Sequence, residues 1–251
     1  DSRFPFLRNF DPYEGHSWAS GHAGFADGNN QESSSEAINA WQAIILWGEA
    51  TGNKTVRDLG IYLYTTEIEA INNYWFDLYN DVLSDAFAHD YASLIWGGKY
   101  CYEIWWDGTN SEKHGINFLP ITAASLYLGQ DPCYVKRNYE NMLRACGNTE
   151  PPNWKDIQYM YYALYDPAAA KNMWNGSIEP EGGESKAHTY HWIYNLDGLG
   201  TPDFSVTANT PLYSVFNKNG KKTYAVYNAS SVSKVVSFSD GKKVTAAPKS
   251  L

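Results

Sequence analysis

The chain has 251 residues, enough for one large domain, and a formal charge of −9 from 28 acidic and 19 basic residues. Its Lys and Arg residues form no cluster, which makes nucleic acids and anionic membranes poor candidates as partners. No apolar run approaches the length of a membrane span. The three cysteines are too few and too irregularly spaced for a disulfide framework or a zinc site, although one pair could form a disulfide. We predict no metal and no cofactor.

Aromatic residues are numerous, with 10 Trp, 20 Tyr and 10 Phe. Such rings can fill a core, or they can form platforms on which the apolar faces of sugar rings stack. Core packing explains most of them, so only a minority need to face a ligand.

Residues 1–31 are predicted to form loops, because they contain four glycines, two prolines and few periodic apolar residues. This segment carries His16, Trp18 and His22. A lone histidine in a loop is usually only solvated. Here, however, a Gly-His-Ser-Trp cluster leads into a helix start with two carboxylates, which favours a role in a pocket wall.

The two carboxylates belong to Glu32 and Glu36. Apolar residues recur with helical spacing over 37–48, which predicts a helix over about residues 33–50. Both glutamates would then lie at its N-terminal end, where the helix dipole favours their charged forms and where they could act on one ligand. The alternative is a capping box formed by Ser33 and Glu36, and on spacing alone a cap is the more common outcome.

A second helix is predicted over 54–79, packed against the first as an antiparallel hairpin through Gly52-Asn53. A shorter helix is predicted within 81–104. Residues 97–116 are predicted to be loop-like. Within them at least one of the adjacent Trp105 and Trp106 should be exposed as a sugar platform. Further helices are predicted over about 120–129, 135–147, 153–165, 167–174 and 188–199.

The last two segments differ in character from the helices. The acidic stretch 179–184 could bind a cation or line an acidic cleft, although a solvated loop is the usual outcome. After about residue 205, β-branched and aromatic runs are separated by Asn219-Gly220 and Asp240-Gly241, which predicts a small antiparallel β meander. We therefore predict a helical region over 1–204 and a β-strand tail over 205–251.

Several of these segments together resemble glycoside hydrolase family 81, the endo-β-1,3-glucanases, and the resemblance covers essentially the whole chain. The stretches that carry it are Asp11–Gly21 with Phe25–Glu36, Trp96–Lys99, His114–Asn117 with Leu119–Thr122, and Glu184–Tyr190. The family has an (α/α)6 barrel, of which about half the helices fit here. The expected fold is therefore mainly α, the C-terminal half of an (α/α)6-type α/α toroid, followed by the β meander.

The resemblance also implies a reaction and a site. The reaction is endo-acting hydrolysis of β-1,3-glucan with inversion, in which Glu36 is favoured as the base that activates water and Glu32 as its partner. An extracellular or cell-wall location is expected. The residues proposed to contact the glucan are Asp11, Tyr13, His16, Trp18, Asn30, Gln31, Trp105, Trp106, His114, Glu184, His188 and Tyr190.

One part of the family's pattern is missing from the chain. The family's general acid is an aspartate in an Asp-His-His-Tyr-His-Tyr-Gly-Tyr-like segment, and the 251 residues contain no such segment. We expect the acid on an upstream N-terminal part of the same enzyme, which with the glucan is the predicted partner. The alternative is a non-catalytic β-glucan-binding protein, which explains the missing acid better and the two glutamates less well.

Overall fold

Helices form most of the chain between residues 34 and 199. The computed structural model describes residues 3, 6–7, 9–19, 24–106 and 108–251, so His22 of the predicted pocket wall lies outside the described residues. The α-helices are α1 (Ser34–Thr51), α2 (Lys54–Ala70), α3 (Asn110–Gly115), α4 (Pro132–Ala145), α5 (Lys155–Tyr162), α6 (Pro167–Met173) and α7 (Lys186–Leu199). A π-helical turn (Ile71–Trp75) extends α2, and a 3₁₀ turn (Ala123–Gly129) precedes α4.

Helices α1 and α2 form the predicted antiparallel hairpin. Gly52 ends α1 with a φ of 69°, a left-handed conformation that glycine adopts without strain, and the Asn53 side chain caps α2 by accepting from Val56 N at 3.2 Å. The two helices approach closely at Gly48, where a Cβ atom would lie 2.3 Å from Arg57 N. This hairpin fixes the direction in which the N-terminal end of α1 points.

Two of the predicted helices are wrong in extent or in kind. The second helix ends at Trp75, not near residue 79, and is followed by Asp77 with a φ of 45°. No helix occupies 81–104. The Asp77 carboxylate instead accepts hydrogen bonds from the backbone N–H groups of residues 81–83 at 2.9–3.2 Å, which fixes a loop. The following residues pair as strands.

Short strands surround the start of α1. Strands β1 (Phe10–Asp11) and β2 (His16–Ser17) form a hairpin. Strand β3 (Asn30–Gln31) pairs with β4 (Leu94–Trp96), which pairs with β5 (Tyr100–Cys101). Because β3 ends directly before Glu32, this second sheet places the residues around 96–105 beside the first glutamate.

The predicted loop over 97–116 is wrong at its end, where α3 begins. Thr109 starts this helix with a capping box, in which the Thr109 side chain and the Glu112 side chain each bond the other's backbone N–H. The helix places His114 and the residues after it against the core.

The C-terminal segment forms two hairpins rather than one meander. Strands β6 (Thr201–Pro202), β7 (Tyr213–Lys218) and β8 (Lys221–Val226) form one sheet, and β9 (Lys234–Ser237) pairs only with β10 (Lys243–Ala246). Both predicted turns are present, since Asn219, Gly220 and Gly241 have positive φ. Strands β8 and β9 do not pair. The two sheets instead share a small second core of Val206, Val215, Val226, Val236, Phe238 and Ala246.

The main core is rich in aromatic rings, as the composition suggests. Trp75, Tyr91, Phe118 and Tyr161 are fully buried, and the last two stack with ring centroids 3.9 Å apart. All three cysteines are free thiols, so the possible disulfide is absent. In the part of the chain that the structure describes, no helix combines the length and apolar character needed to cross a membrane.

Candidate active site

Glu32 lies between β3 and α1 and is held by the backbone. Its Oε1 accepts a hydrogen bond from Trp105 N at 2.9 Å, and only 8% of the residue is exposed. Burial raises the pKa of this carboxyl above its usual value, the bond from Trp105 opposes the rise, and the nearby Glu36 carboxylate adds to it. The first predicted carboxylate is therefore fixed in position and electrostatically linked to the second.

Glu36 lies in the first turn of α1 and is exposed. The capping-box alternative is wrong for this helix, because the Ser33 side chain makes no capping bond; the Glu36 backbone N–H instead bonds Ser33 O at 3.0 Å. Among the described residues, none donates a hydrogen bond to the Glu36 carboxylate. That carboxylate is thus available to a ligand at the positive end of the helix.

An aromatic surface begins directly beside Glu32. Trp105 is 54% exposed, and its ring centroid lies 5.6 Å from that of Trp96 and 5.5 Å from that of Phe25. The next residue, Trp106, is also exposed and lies 6.1 Å from the Trp154 ring. The prediction that at least one of the adjacent tryptophans is exposed is confirmed, since both are.

Trp154 also lines a groove of about 680 Å³. Its other walls carry mainly polar and acidic side chains, including Glu112, Glu179 and Glu181. The aromatic surface therefore leads from the glutamates to an acidic groove. Among the described residues, no three His, Cys, Asp or Glu side chains group as metal ligands there or elsewhere.

The turn that follows Trp96 brings its ring to the site. Gly97 N donates to Asn29 O at 2.9 Å, and a Cβ on Gly28, whose φ is +90°, would lie 3.5 Å from Gly97 Cα. Lys99 then pairs with Asp27 at 2.7 Å. Sequence reasoning assigned Trp96 and Phe25 no role in the site. The Gly-Gly pair after Trp96 was the available signal, because adjacent glycines permit close backbone approach.

The hairpin of β1 and β2 forms another side of the site. Asp11 accepts from Tyr13 N at 2.9 Å and from Trp18 Nε1 at 3.4 Å. Burial alone would raise the pKa of Asp11, but the accepted hydrogen bonds together hold this pKa below its usual value. Tyr13 is almost fully exposed, and Trp18 is half-buried. These three residues are available at the surface next to β3, since Ala19 N bonds Asn30 O at 2.8 Å.

His16 is buried, so it cannot contact a polysaccharide directly. Its ring packs edge-on against Trp18 at 4.5 Å and against Trp75 at 5.0 Å, and Nδ1 lies 2.9 Å from Ser17 O. Burial lowers the pKa of His16, which favours the neutral ring. A role of His16 in the pocket wall stays a prediction, in which the ring would act through its contact with Trp18.

A third glutamate lies under the site and was missed by the sequence analysis. Glu67 of α2 is fully buried, and it accepts hydrogen bonds from Ser17 N, Ser17 Oγ and Trp41 Nε1. Burial raises the pKa of Glu67, and these bonds oppose the rise. The signal was available, because Glu67 follows Leu63 by four residues on the apolar stripe of α2. The carboxyl ties α1, α2 and β2 together.

Asn30 and Gln31, predicted to bind substrate, are both buried in β3. The Gln31 Nε2 atom lies 3.4 Å from Ser17 Oγ, next to the Glu67 carboxyl. Their position directly before Glu32 gives them a role in holding the strand, with little surface for a ligand.

His114 differs most from its predicted role as a glucan contact. It is 3% exposed, stacks on Tyr91 at 4.7 Å, and its Nδ1 lies 2.6 Å from Asn138 Oδ1. Burial lowers the pKa of His114 to about 4. The expectation that it contacts glucan is corrected on this ground, because a neutral ring inside the core has no surface to offer.

Glu184, His188 and Tyr190 form a separate group at the start of α7. The His188 Nδ1 atom is hydrogen-bonded to Glu184, and that bond raises the pKa of His188. Tyr190 is exposed and stacks on Tyr194 at 4.0 Å. Within the described residues, no hydrogen bond or ring contact joins this group to Glu32 or Glu36. The acidic loop that precedes α7 is hydrogen-bonded to the buried Asp156, whose Oδ2 accepts from Glu181 N at 3.0 Å.

Comparison with known proteins identifies the family of this chain. A family model described as the glycosyl hydrolase family 81 C-terminal domain matches residues 1–194. A glucan endo-1,3-β-D-glucosidase from Acetivibrio thermocellus is 81% identical over all of this chain, which covers 32% of that protein. One from Thermobifida fusca is 46% identical over 99% of this chain and 33% of its own length.

A solved structure, a glutamate-to-alanine mutant of a glycoside hydrolase family 81 protein from Clostridium thermocellum, matches with a TM-score of 0.97 and 81% identity. The match covers 100% of this chain and 35% of the chain in the solved structure. The chain thus spans about a third of the length of the relatives it matches. This chain belongs to glycoside hydrolase family 81, and its residues 1–194 match the C-terminal domain of that family.

Proposed function

We propose that this chain is part of an endo-acting β-1,3-glucanase that hydrolyses glucan with inversion, and that Glu36 is the base. The observation that carries the proposal is the contrast between the two glutamates. Glu32 is buried and anchored by Trp105 N, whereas Glu36 is exposed beside it, and no described residue donates a hydrogen bond to its carboxylate. The relatives' names support β-1,3-glucan as the substrate.

An inverting glycosidase needs a carboxylate that removes a proton from the attacking water and a carboxylic acid that protonates the leaving oxygen. Glu36 can take the first role, because its carboxylate faces solvent at the start of a helix. Glu32 orients the water or a sugar hydroxyl from its fixed position. Burial, and to a lesser extent the charge of Glu36, raise the pKa of Glu32.

The general acid is proposed to lie on an upstream part of the same polypeptide. Relatives are about three times as long as this chain, which leaves room for that part. The upstream part would also complete an (α/α)6 toroid, of which residues 1–204 would supply about half and 205–251 a β-strand tail. The proposed location is extracellular or the cell wall, where such glucans occur.

The glucan is proposed to lie across the exposed rings beside the glutamates. Trp105, Trp106 and Trp18 would stack on sugar faces, with Asp11 and Tyr13 at the edge, because these side chains reach the surface. Glu184, His188 and Tyr190 would contact a more distant part of a long chain.

The proposal is tested by replacing each glutamate in the full-length enzyme. Glu36→Gln keeps the shape but removes the base, so turnover should fall by about 10²–10⁴-fold while glucan affinity changes only a few-fold. Glu32→Gln should reduce turnover less. Glu140→Gln, an exposed glutamate on α4, is the matched control and should leave turnover unchanged.

Binding is followed by tryptophan fluorescence with soluble β-1,3-glucan and with cellulose oligosaccharides, and we expect far weaker binding of the latter. Normal turnover of Glu36→Gln with a lowered melting temperature would contradict the mechanism. A parent enzyme that binds the glucan without any turnover would favour the non-catalytic binding protein. Equal binding of both sugars would contradict the substrate.

A further inference from the structure

The N-terminal end of α1, which carries the glutamate pair, is capped from a distant part of the chain. Ser33 provides no side-chain cap. Instead, Asn117 Oδ1 accepts hydrogen bonds from Ser34 N at 3.0 Å and from Ser34 Oγ at 2.8 Å, across 83 residues of sequence. The start of a helix leaves several backbone N–H groups without an intrahelical partner, and here one of them bonds both Glu32 O at 2.6 Å and the side chain of a residue that follows α3.

The Asn117 side chain is fixed in one orientation. It is fully buried, and its Nδ2 donates to Tyr91 Oη at 2.8 Å and to Ser93 O at 2.9 Å. With both donors committed, the amide oxygen must face Ser34. Ser93 directly precedes β4, which pairs with the strand before Glu32. One side chain thus joins the first turn of α1 to the sheet that leads into the site.

The residues after Asn117 continue this contact along α1. Ser35 Oγ donates to Leu119 O, and Asn39 Nδ2 donates to Pro120 O at 3.1 Å. These bonds hold residues 34, 35 and 39, whereas Glu36 between them is exposed to solvent. The segment 117–122 therefore supports the helix from the core side and leaves its carboxylate free.

We propose that Asn117 is a positioning residue for the glutamate pair, acting through Ser34 to set where Glu36 lies relative to the anchored Glu32. It touches no substrate, because it is fully buried. The proposal rests on the proposed function of that pair. It also gives a physical role to the His-Gly-Ile-Asn stretch at 114–117, which the mechanism does not otherwise use.

The test is Asn117→Ala in the full-length enzyme. Loss of the anchor should lower kcat by about 10- to 100-fold, because small misplacement of catalytic groups has effects of that size, while KM stays within about threefold. The Glu32 pKa should also fall, since a loosened helix start admits water to its carboxyl. ¹³C NMR of labelled glutamate measures that pKa without any need for activity.

Asn138→Ala is the matched control. Asn138 is an equally buried amide, bonded to His114 Nδ1 at 2.6 Å and to Tyr161 Oη at 3.4 Å, and none of its bonds reaches α1. It should lower the melting temperature but leave both kcat per folded molecule and the Glu32 titration unchanged. If Asn117→Ala does not fold, Ser34→Ala removes only the Oγ bond. It should lower kcat about two- to fivefold and shift the Glu32 pKa in the same direction.

The proposal would be overturned if Asn117→Ala and Asn138→Ala lower the melting temperature equally and leave kcat and the Glu32 titration unchanged. Asn117 would then have only a structural role in the core. If Asn117→Ala is unfolded, an unchanged kcat and an unchanged Glu32 titration in Ser34→Ala would also overturn the proposal. A parent enzyme without glucan turnover would contradict the proposed function instead, while the Glu32 titration would still decide whether Asn117 positions the pair.

Discussion

Surroundings, not residue type, distinguish three glutamates of this chain. Glu36 is exposed, Glu32 is buried with one backbone donor, and Glu67 is fully buried with bonds from Ser17 and Trp41. Desolvation penalises the charged form of a buried carboxyl, whereas accepted hydrogen bonds favour it. The same side chain is therefore an exposed carboxylate in Glu36, an anchored carboxyl in Glu32 and a structural link between elements in Glu67.

The pair formed by His188 and Glu184 gives a prediction about pH. The Glu184 bond raises the pKa of His188 above the usual value of about 6.5. Its contribution to stability should therefore be fully present below about pH 6.5 and should be lost as the pH rises through the His188 pKa of the folded chain. Glu184→Gln should lower that pKa and remove this pH dependence, as measured by histidine NMR and by melting at a series of pH values.

Glu179→Gln is the control for that experiment. Glu179 lies on the same loop but pairs with Lys186 at 2.7 Å, so its replacement should leave the His188 titration unchanged. A His188 pKa that is the same in the parent and in Glu184→Gln would show that the hydrogen bond does not set it.

At the scale of elements, close backbone approach shapes the α1–α2 hairpin. A Cβ on Gly48 would lie 2.3 Å from the Arg57 backbone N, far inside normal contact, whereas nothing lies within 4 Å of a Cβ on Gly198 of α7. Gly48→Ala should therefore destabilise the chain by about 1–3 kcal/mol through overpacking. Gly198→Ala should stabilise it by about 0.5–1 kcal/mol, because alanine has the higher helix propensity.

Thermal or urea unfolding of the two variants measures both effects. Both glycines lie inside helices and the substitution is identical, so the difference between them isolates the helix contact. Similar stability changes of the same sign in both variants would mean that α1 and α2 do not approach as closely as described.

For the whole molecule, the outer face of α1 remains uncovered. Trp47 is 66% exposed beside the exposed Leu46, on the helix that begins at the glutamates. We expect the upstream part proposed above to cover such surface, because the proposed toroid needs further helices. The chain by itself should therefore self-associate, in a concentration-dependent manner that sedimentation velocity can follow.

Replacing Trp47 by glutamate should weaken this self-association, since it places a charge on the face that associates. Val232→Glu is the control, because Val232 is also exposed but belongs to the β-strand tail. A parent chain that sediments as a single monomer at every concentration would contradict the idea that this face needs a cover.

Local signals in the sequence determined much of this protein. Glycine at the end of α1 and the Asn-Gly and Asp-Gly turns act within a few residues, so the helix hairpin and both β turns could be predicted, but not the division of the strands into two sheets. The position of Glu32 and Glu36 at the start of α1 follows equally from the period of the apolar residues. The resemblance to family 81 added the reaction, which spacing alone could not supply.

Contacts across long separations decided the rest. The predicted helix over 81–104 failed because β4 pairs with β3, some 65 residues earlier, and local propensity does not encode that pairing. His16 and His114 looked available, yet folding buries both under aromatic rings. Ser33 fitted a capping motif, but its φ of −62° and ψ of 68° are not the extended conformation typical of a cap, and its side chain makes no capping bond. Asn117, 83 positions away from Ser34 in sequence, bonds the helix start instead, and only the tertiary structure brings it there.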